Sequence, residues 1–306
     1  MNRIDESMGW IRRLARAYTF NVPLKKGCYR IADAAIAIGG ELPKRAVVKT
    51  TDGCEIVLDP SDTGYRYSYF LGEYEPAVSR CIRNAVEPGD VCLDIGANAG
   101  WFTIMLMKLA GPAGEVHSFE PVPGTHEVLL ENIDRNKSFG RAKANRVALG
   151  RKKGKVELVL EDGLPDGHAS VDFGGEEEGF RVSAERDTLD AYLGDNEIEH
   201  VDFLKMDIEG SELDTLKGAG LLFDQVKKPI MVIEMALATS KRFGYEPNDL
   251  ISFISDQAPY RFFEIAENRG TVEEFELFRV GSVGANVLCV PANAPAAKFR
   301  SLGIRE

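Results

Sequence analysis

From residue 91 onward, short apolar segments typical of buried strands alternate with segments that have helical periodicity. Parallel strands need long crossover connections, which are usually helices, so this alternation predicts an α/β fold with a mostly parallel sheet and helices on both faces. The strands are predicted, in chain order, in the sequences VCLDIG, EVHSFEP, AKANRVALG, HVDFLKMDIEG and KPIMVIEM. The sequences YRFFEIAE and ANVLCVP predict an antiparallel terminal pair at the far edge of the sheet.

The residues before this alternation predict a helical and hairpin extension. Apolar positions recur at helical spacing over residues 1 to about 45, and the sequences AVVKT and CEIVLD flank a turn at residues 51–53. We therefore expect two parts, an N-terminal extension over residues 1–70 and a Rossmann-like domain over residues 71–306.

Three arginines, Arg12, Arg13 and Arg16, lie on the predicted N-terminal helix. A basic helix face can contact an anionic membrane surface or a partner chain. We favour a solvated face, with the opposite side of the helix packed on the domain, over both of these alternatives.

The composition is typical of a globular enzyme with an acidic surface. The 306 residues include 48 acidic and 37 basic side chains, which give a formal net charge of −11 at pH 7. Such a surface repels phosphates, so we expect no nucleic-acid partner. The five cysteines form no CxxC pair, which favours reduced thiols over a zinc site or a disulfide framework. The apolar runs are too short to cross a bilayer, and we expect a cytoplasmic protein, which could form a homo-oligomer.

The sequence DIGANAG, residues 94–100, follows the first strand of the alternation. Gly96 and Gly100 allow a tight turn and a close approach of the backbone to a ligand. Nucleoside cofactors bind at this edge of an open parallel sheet. A dinucleotide site would need the pattern GxGxxG, but Asn98 and Trp101 occupy the second and third glycine positions. The pattern therefore disfavours a nicotinamide cofactor.

Acidic residues at two strand ends favour a different nucleoside cofactor. Asp94 would repel a pyrophosphate, but it suits the ammonium and sulfonium groups of S-adenosylmethionine. Glu120, followed by Pro121, ends the second strand, where a carboxylate can accept hydrogen bonds from both ribose hydroxyls; the alternative is a surface acid. Val147 and Ala148 could pack on the purine or form an ordinary buried strand end. The candidate cofactor-binding residues are Asp94, Ile95, Gly96, Ala97, Asn98, Gly100, Glu120, Pro121, Val147, Ala148 and Asp207.

Charged residues also end the fourth and fifth strands. Lys205, Asp207 and Glu209 alternate with apolar residues, so we expect them on one face of the fourth strand. If the two strands are neighbours, Glu234 joins them. Three charges on a buried strand are costly unless they are paired or used. They could provide a general base and orient the substrate, hold a divalent cation, or form an ion network that makes the strand end rigid; no metal is predicted.

The histidines form no cluster that would suggest a metal site. His168 lies in a long irregular segment, where functional residues are often found, and is a secondary candidate for a base or a substrate contact. His117 and His200 lie in or beside predicted strands, where packing is the favoured role.

These sequences resemble the FkbM family of methyltransferases. The matching segments are VCLDIGANAG with Thr103, FEP at residues 119–121, Asn132, residues 145–150, the turn at residues 188–190, FLKMDIEGSE at residues 203–212 with Leu216 and Gly218, and VIE at residues 232–234. The resemblance implies a class I methyltransferase fold, S-adenosylmethionine as the cofactor and O-methylation of a saccharide or natural-product hydroxyl. It also implies that Asp94, Gly96, Asn98, Gly100 and Glu120 bind the cofactor, with Asp207 and Glu209 beside the reacting centre.

Other functions remain open from the sequence. The main alternative is N-methylation of a small amine. A non-catalytic partner subunit that keeps the cofactor fold is a second alternative, although such a role would not require Asp94, Glu120 and Asp207 together.

Overall fold

The computed structural model describes residues 10–21, 27–161, 169–171, 179–267, 270–275, 277 and 284–304. The elements before the strand–helix alternation are α1 (Trp10–Asn21), α2 (Cys28–Gly39), β1 (Ala46–Lys49), β2 (Glu55–Leu58), α3 (Arg66–Leu71) and α4 (Pro76–Ala85). The alternation opens with β3 (Val91–Ile95), α5 (Trp101–Ala110), β4 (Glu115–Phe119), α6 (Pro123–Asn136) and β5 (Ala142–Asn145). It is followed by β6 (Ala148–Leu149), β7 (Gly154–Glu161), β8 (Ala169–Val171), β9 (Gly179–Asp187) and α7 (Leu189–Asp195). The last elements are β10 (Phe203–Met206), α8 (Glu212–Leu216), α9 (Gly220–Asp224), β11 (Ile230–Ala236), α10 (Leu237–Arg242), α11 (Pro247–Gln257), β12 (Tyr260–Ala266), β13 (Thr271–Phe275), β14 (Gly284–Pro291) and α12 (Ala296–Ser301).

The central sheet has the strand order β13-β12-β14-β11-β10-β3-β4-β5. The strands from β5 to β11 in this order run parallel, whereas β14, β12 and β13 continue the sheet antiparallel. The predicted α/β fold is therefore confirmed, including the antiparallel pair of β12 and β14. The prediction that this pair forms the edge is wrong, because β13 lies outside it. The sequence of β13, TVEEF, is acidic and partly exposed, so it lacks a recognisable apolar pattern.

Both faces of the central sheet are buried, which explains its nearly continuous apolar strands. In β3, Cys92 enters the core on one face and Leu93 enters the core on the other. The first core includes Ile104 of α5, and the second includes Leu250 of α11. A parallel strand that is covered in this way has no solvated face. A charged side chain within it therefore needs a partner inside the protein.

A second, smaller sheet has the strand order β6-β9-β7-β8. The sequence AKANRVALG predicts one strand, but the structure divides it between β5 of the central sheet and β6 of the second sheet. At the end of β5, the Asn145 side chain donates hydrogen bonds to the Ser118 carbonyl and the Tyr192 hydroxyl at 3.1 and 3.0 Å. Val156 and Leu158 of β7 are buried in a small core of their own. The apolar letters VAL continue the strand pattern, so the sequence did not reveal the break.

The N-terminal helices pack onto the central domain. Ala15 of α1 and Ala32 and Ala35 of α2 belong to the same core as Leu288 of β14. The division of the chain at residues 70 and 71 stays a prediction. Within the described residues, no helix is long and apolar enough to cross a membrane.

The three arginines of α1 have different environments. Arg12 is buried, and its Nη2 donates hydrogen bonds to the carbonyls of residues 39–41 at 2.6, 2.5 and 2.7 Å. Arg16 lies 5.5 Å from the ring centroid of Tyr69, and Arg13 is exposed. The predicted solvated face is therefore wrong for Arg12, because its guanidinium binds carbonyls that have no partner at the C-terminal end of α2.

A buried asparagine connects the hairpin to the loop that follows β3. Asn132 of α6 donates hydrogen bonds to the carbonyls of Val57 and Ala99 at 2.9 and 2.7 Å. Its Oδ1 accepts a hydrogen bond from the Val57 N–H at 2.7 Å. The side chain therefore fixes β2 and the loop after β3 to one helix.

We expect the substitution Asn132→Ala to lower the free energy of unfolding by about 2–4 kcal/mol, because it leaves several buried backbone groups without partners. Urea denaturation would measure the change. The exposed helical Asn84 provides a matched control, and Asn84→Ala should change the free energy by less than about 0.5 kcal/mol. Equal effects of the two substitutions would contradict the role of Asn132.

The loop between β3 and α5 lies directly against the end of β10. Gly96 has a φ of 83°, and a Cβ at this position would lie 1.8 Å from the carbonyl oxygen of Asp207. Only glycine avoids this overlap with a backbone atom that cannot rotate away. The positions of the loop and of Asp207 are therefore coupled.

We expect Gly96→Ala to destabilise the protein by at least about 3 kcal/mol, because it combines backbone strain with overpacking. Gly111 is a matched control: its φ is 66°, but a Cβ there meets no atom within 4 Å. Gly111→Ala should cost only about 1 kcal/mol. Urea denaturation of the two variants separates the cost of backbone strain from the cost of the overlap with the Asp207 carbonyl. Equal losses in the free energy of unfolding would show that the structure relieves the overlap by a shift of neighbouring atoms.

Candidate functional site

A cavity of about 360 Å³ lies at the carboxyl ends of β3, β4 and β10. This volume is in the range of small-molecule sites, roughly 300–1,000 Å³. The sequence-predicted residues that line it are Ile95, Gly96, Ala97, Asn98, Glu120, Pro121, Val147, Ala148, Lys205, Asp207 and Glu209. Of the other predicted residues, Asp94, Gly100 and Glu234 are described by the structure but are not part of the cavity wall. His168 lies outside the described residues.

Glu120 lies at the end of β4 and is buried. Its Oε2 accepts a hydrogen bond from the Asn98 N–H at 2.9 Å, and its Oε1 accepts one from the Val122 N–H at 2.9 Å. Burial raises the pKa of Glu120 to about 7, although the two hydrogen bonds oppose the rise. Each carboxylate oxygen can accept a further hydrogen bond. Glu120 can therefore bind a donor in the cavity and keep its contact with the loop.

Asp94 is buried within β3 and binds neighbouring elements. Its Oδ2 accepts a hydrogen bond from the Thr103 hydroxyl at 2.5 Å, and this hydroxyl is 2.9 Å from the Ser118 hydroxyl. Burial raises the pKa of Asp94 to about 6, while Thr103 and Lys205 oppose the rise. The contacts join β3 to α5, which begins just after the loop.

The part of the cavity near β6 combines apolar residues with the basic residues Arg151, Lys152 and Arg186. Val147 packs against the second core of the central sheet, and Ala148 packs against the core of the smaller sheet. Val156 and Leu158 of β7 line the same cavity. The second sheet was not predicted from the sequence, so its contribution to the wall was missed. The apolar side chains of this part of the wall suit a flat, apolar group.

Lys205 and Asp207 form an ion pair at the end of β10. Lys205 is buried, its Nζ is 3.0 Å from Asp207 Oδ2, and it lies 5.3 Å from the ring centroid of Phe102. Burial lowers the pKa of Lys205, but Asp207 and Glu75 outweigh burial and the net pKa is raised. Lys205 is therefore a cation at neutral pH.

Glu234, on the neighbouring strand β11, interacts with Lys205 and Asp207. The strands β10 and β11 are parallel neighbours, which is the condition under which Glu234 was expected to join the group. The negative charge of Asp207, burial and a hydrogen bond with Asp207 all raise the pKa of Glu234, while Lys205 opposes the rise. The close contact with Asp207 therefore favours the protonated form of Glu234.

The predicted alternation along β10 is wrong at Glu209. The strand ends at Met206, and Glu209 has a φ of 53° in the turn that follows. Gly210 has a φ of 104°, and a Cβ there would lie 2.6 Å from the carbonyl oxygen of Thr239. The chain therefore turns to pack beside α10. Glu209 still lines the cavity, but it does so from this turn.

An aromatic part of the wall was missed by the sequence reasoning. Tyr65, Tyr74, Trp101 and Phe102 line the cavity. The ring centroid of Tyr74 is 5.3 Å from that of Tyr65, 5.9 Å from that of Trp101 and 5.7 Å from that of Phe102. Residues 65–74 are rich in tyrosine, but the sequence predicted no function for them. The repeated tyrosines were the available signal for a ligand-facing surface.

Glu75, the residue after Tyr74, was also missed. It precedes Pro76, the first residue of α4, and burial raises its pKa to about 7. Across the described ranges, no group of three or more His, Cys, Asp or Glu side chains is placed to hold a metal ion. All five cysteines are described, buried and free of disulfides.

Comparison with known proteins places this cavity in a methyltransferase domain. The chain is 30% identical over 156 residues to methyltransferase sdnD of Sordaria araneosa, a match that covers 41% of this chain and 59% of that protein. It is 26% identical over 182 residues to the hexuronic acid methyltransferase AglP of Haloferax volcanii, covering 60% of this chain and 68% of AglP. A shorter match, 43% identical over 65 residues, links it to the 31-O-demethyl-FK506 methyltransferase FkbM of Streptomyces tacrolimicus and covers 20% of this chain and 25% of that protein.

A family model also covers more than half of the chain. Residues 94–262 match the model described as the methyltransferase FkbM domain, which includes both the loop after β3 and the acidic end of β10. The predicted class I methyltransferase fold and S-adenosylmethionine as cofactor are thereby confirmed for this domain, and the nicotinamide alternative is set aside. The chain belongs to the FkbM-domain family of S-adenosylmethionine-dependent methyltransferases.

Proposed function

We propose that this protein transfers a methyl group from S-adenosylmethionine to a hydroxyl oxygen of a saccharide or a secondary metabolite. The observation that carries the proposal is the carboxyl group of Asp207, which lies 3.0 Å from the ammonium group of Lys205. It lies on the wall of a cavity that also contains the loop after β3 and Glu120. A carboxylate in this position can accept the proton that a hydroxyl loses when its oxygen is methylated.

The residues of the cavity fit the proposed cofactor. Glu120 has lone pairs free for the ribose hydroxyls beyond the two backbone hydrogen bonds that it accepts. Pro121, Val147 and Ala148 offer apolar surface to the purine. The backbone at Gly96 and its neighbours Ile95, Ala97 and Asn98 forms the adjoining wall. Asp94 and Gly100 support this loop from outside the cavity wall.

The charged residues have distinct parts in the proposed reaction. Bound S-adenosylmethionine supplies an electrophilic methyl group on a positively charged sulfur. Asp207 would accept, on a carboxylate oxygen, the proton that the acceptor hydroxyl loses when it is methylated. Lys205 keeps Asp207 ionised, Glu234 orients it through a hydrogen bond, and Glu209 contacts the acceptor. The largest contribution of the site is the alignment of the two reactants.

Two relatives support the choice of acceptor. AglP is named a hexuronic acid methyltransferase, and the Streptomyces relative is named for a 31-O-demethyl substrate. The cluster of Tyr65, Tyr74 and Trp101 adds rigid apolar surface for a ring of the acceptor. Transfer of a radiolabelled methyl group to a panel of uronic acids, neutral saccharides, polyols and primary amines would test the proposal. Labelled ethers are expected, and labelling confined to the amines would contradict it.

We expect Asp207→Asn to lower turnover by about 10²- to 10⁴-fold, because the variant cannot accept a proton. The affinity for S-adenosylhomocysteine, measured by calorimetry, should change by less than about threefold. Asp214 is a matched control because it also lines the cavity and pairs with Arg151 at 3.0 Å. Asp214→Asn should keep most of the turnover, and an Asp207→Asn enzyme of undiminished turnover would exclude this general base.

The same assay tests the alternative in which the acidic groups hold a divalent cation. Treatment with a chelator is expected to leave turnover unchanged, because the proposed proton transfer uses the carboxylate directly. A loss of turnover that added Mg²⁺ restores would favour the cation instead.

We expect the affinity for S-adenosylhomocysteine to rise up to about tenfold between pH 6 and pH 8. The pKa of Glu120 is raised to about 7, so its carboxylate is mainly protonated at pH 6 and mainly ionised at pH 8, where it accepts hydrogen bonds from the ribose more strongly. Glu120→Gln should bind more weakly at pH 8 and lose most of this pH dependence. Glu127→Gln, on the exposed side of α6, should keep it. Identical pH profiles for wild type and Glu120→Gln would contradict the ribose role.

A further inference from the structure

Glu75 has an unusual backbone conformation beside the cavity. It has a φ of 40°, in the left-handed region that residues with a side chain rarely adopt, and it immediately precedes α4. The adjacent Tyr74 lines the cavity. Such conformations cluster at functional sites, where the surrounding structure holds them in place.

The usual reason for an acidic residue before a helix does not apply here. The side chain of Glu75 makes no capping hydrogen bond to α4. Instead, the N–H of Ala77 donates to both carboxylate oxygens of Glu267, at 3.1 and 3.0 Å. Because Glu267 caps the helix, the carboxylate of Glu75 is free to serve another purpose.

One carboxylate oxygen of Glu75 lacks a hydrogen-bond partner. Its Oε2 is buried and has no hydrogen-bond partner, although the residue as a whole is only partly buried. A buried carboxylate oxygen without a donor is destabilising, and proteins retain few such atoms. A donor supplied by a bound ligand would remove the penalty.

Electrostatic contacts connect Glu75 with the charged end of the cavity. Burial raises the pKa of Glu75, Lys205 lowers it and Asp207 raises it further. Burial also raises the pKa of Tyr74, and the charge of Glu75 adds to that rise. Lys205, Asp207 and Tyr74 all line the cavity. Glu75 itself is not part of the cavity wall, but it follows the wall residue Tyr74 and interacts electrostatically with Lys205 and Asp207.

We propose that Glu75 is a ligand-binding residue of this site, whose free carboxylate oxygen accepts a hydrogen bond from an N–H or O–H group. The donor is either the ammonium group of the cofactor's amino-acid part or the hydroxyl of the acceptor. This inference rests on the proposed function, because both donors belong to its reactants. The inference adds to the binding site a residue that lies outside both the loop after β3 and the end of β10.

The test compares two ligands in the variant Glu75→Gln, which keeps the size of the side chain and removes its charge. S-adenosylhomocysteine carries the ammonium group, whereas 5′-methylthioadenosine has the same nucleoside without the amino-acid part. If Glu75 binds the ammonium, the variant should lose about tenfold or more in affinity for S-adenosylhomocysteine and less than about twofold for methylthioadenosine. If it binds the acceptor, both affinities should stay and KM for the acceptor should rise by a similar factor.

Thermal denaturation separates a binding role from a structural one. Glu75→Gln should keep or raise Tm, because it removes a buried charge without a partner. Glu73→Gln is the control: Glu73 lies two residues earlier and pairs with Arg83 at 3.2 Å, so ligand affinity and KM should not change. A Glu75→Gln enzyme with wild-type affinities and KM would overturn the inference, as would a lower Tm with equal weakening of both ligands.

Ligand binding by the wild-type protein distinguishes a failure of the proposed function from a failure of the role of Glu75. A wild-type protein that binds neither S-adenosylhomocysteine nor methylthioadenosine would contradict the proposed function and this inference together. A wild-type protein that binds both ligands, with a variant that behaves identically, would contradict only the role of Glu75.

Discussion

The positive charge of Lys205 is buried inside the central sheet, and the acidic groups around it balance that charge. The Lys205 side chain is almost fully buried, so little water can solvate its ammonium group. Asp207 provides the direct ion pair at 3.0 Å, and Glu75 adds to the negative potential. One cation cannot neutralise three carboxylates in this environment. The pKa of Glu234 is therefore raised, with the charge of Asp207 as the largest cause, and Asp207 lies on the cavity wall.

The buried acids at this end of the sheet have two different roles. Glu120 and Asp94 are also buried acids with a raised pKa, but backbone or hydroxyl donors hold them. Their hydrogen bonds fix the loop after β3 and the start of α5. The acids near β3 and β4 therefore organise the backbone, whereas those near β10 and β11 adjust the charge on Asp207.

Much of this arrangement could be predicted from the sequence because parallel strands end at a common edge. The order of strand and helix segments placed Glu120, Asp207 and Glu234 at that edge, and DIGANAG identified the loop that faces it. The path of the chain after β5 could not be predicted, because the apolar letters of β6 continue the pattern of β5 although they belong to another sheet. Glu209 and Glu75 depend on positive φ angles, which arise from packing beyond their immediate sequence. The importance of Glu75 also depends on Glu267, 192 positions later in the chain.

The contact between Gly96 and the carbonyl of Asp207 restricts how relatives of this protein can diverge. The two segments touch so closely that neither can gain an atom without displacing the other. The cavity wall at this junction therefore tolerates little change in the position of the backbone. The smaller sheet and the tyrosine-rich segment before α4 also line the cavity, so substitutions there can change its shape. The size and polarity of the cavity can thus vary at its periphery while the junction between Gly96 and Asp207 stays intact.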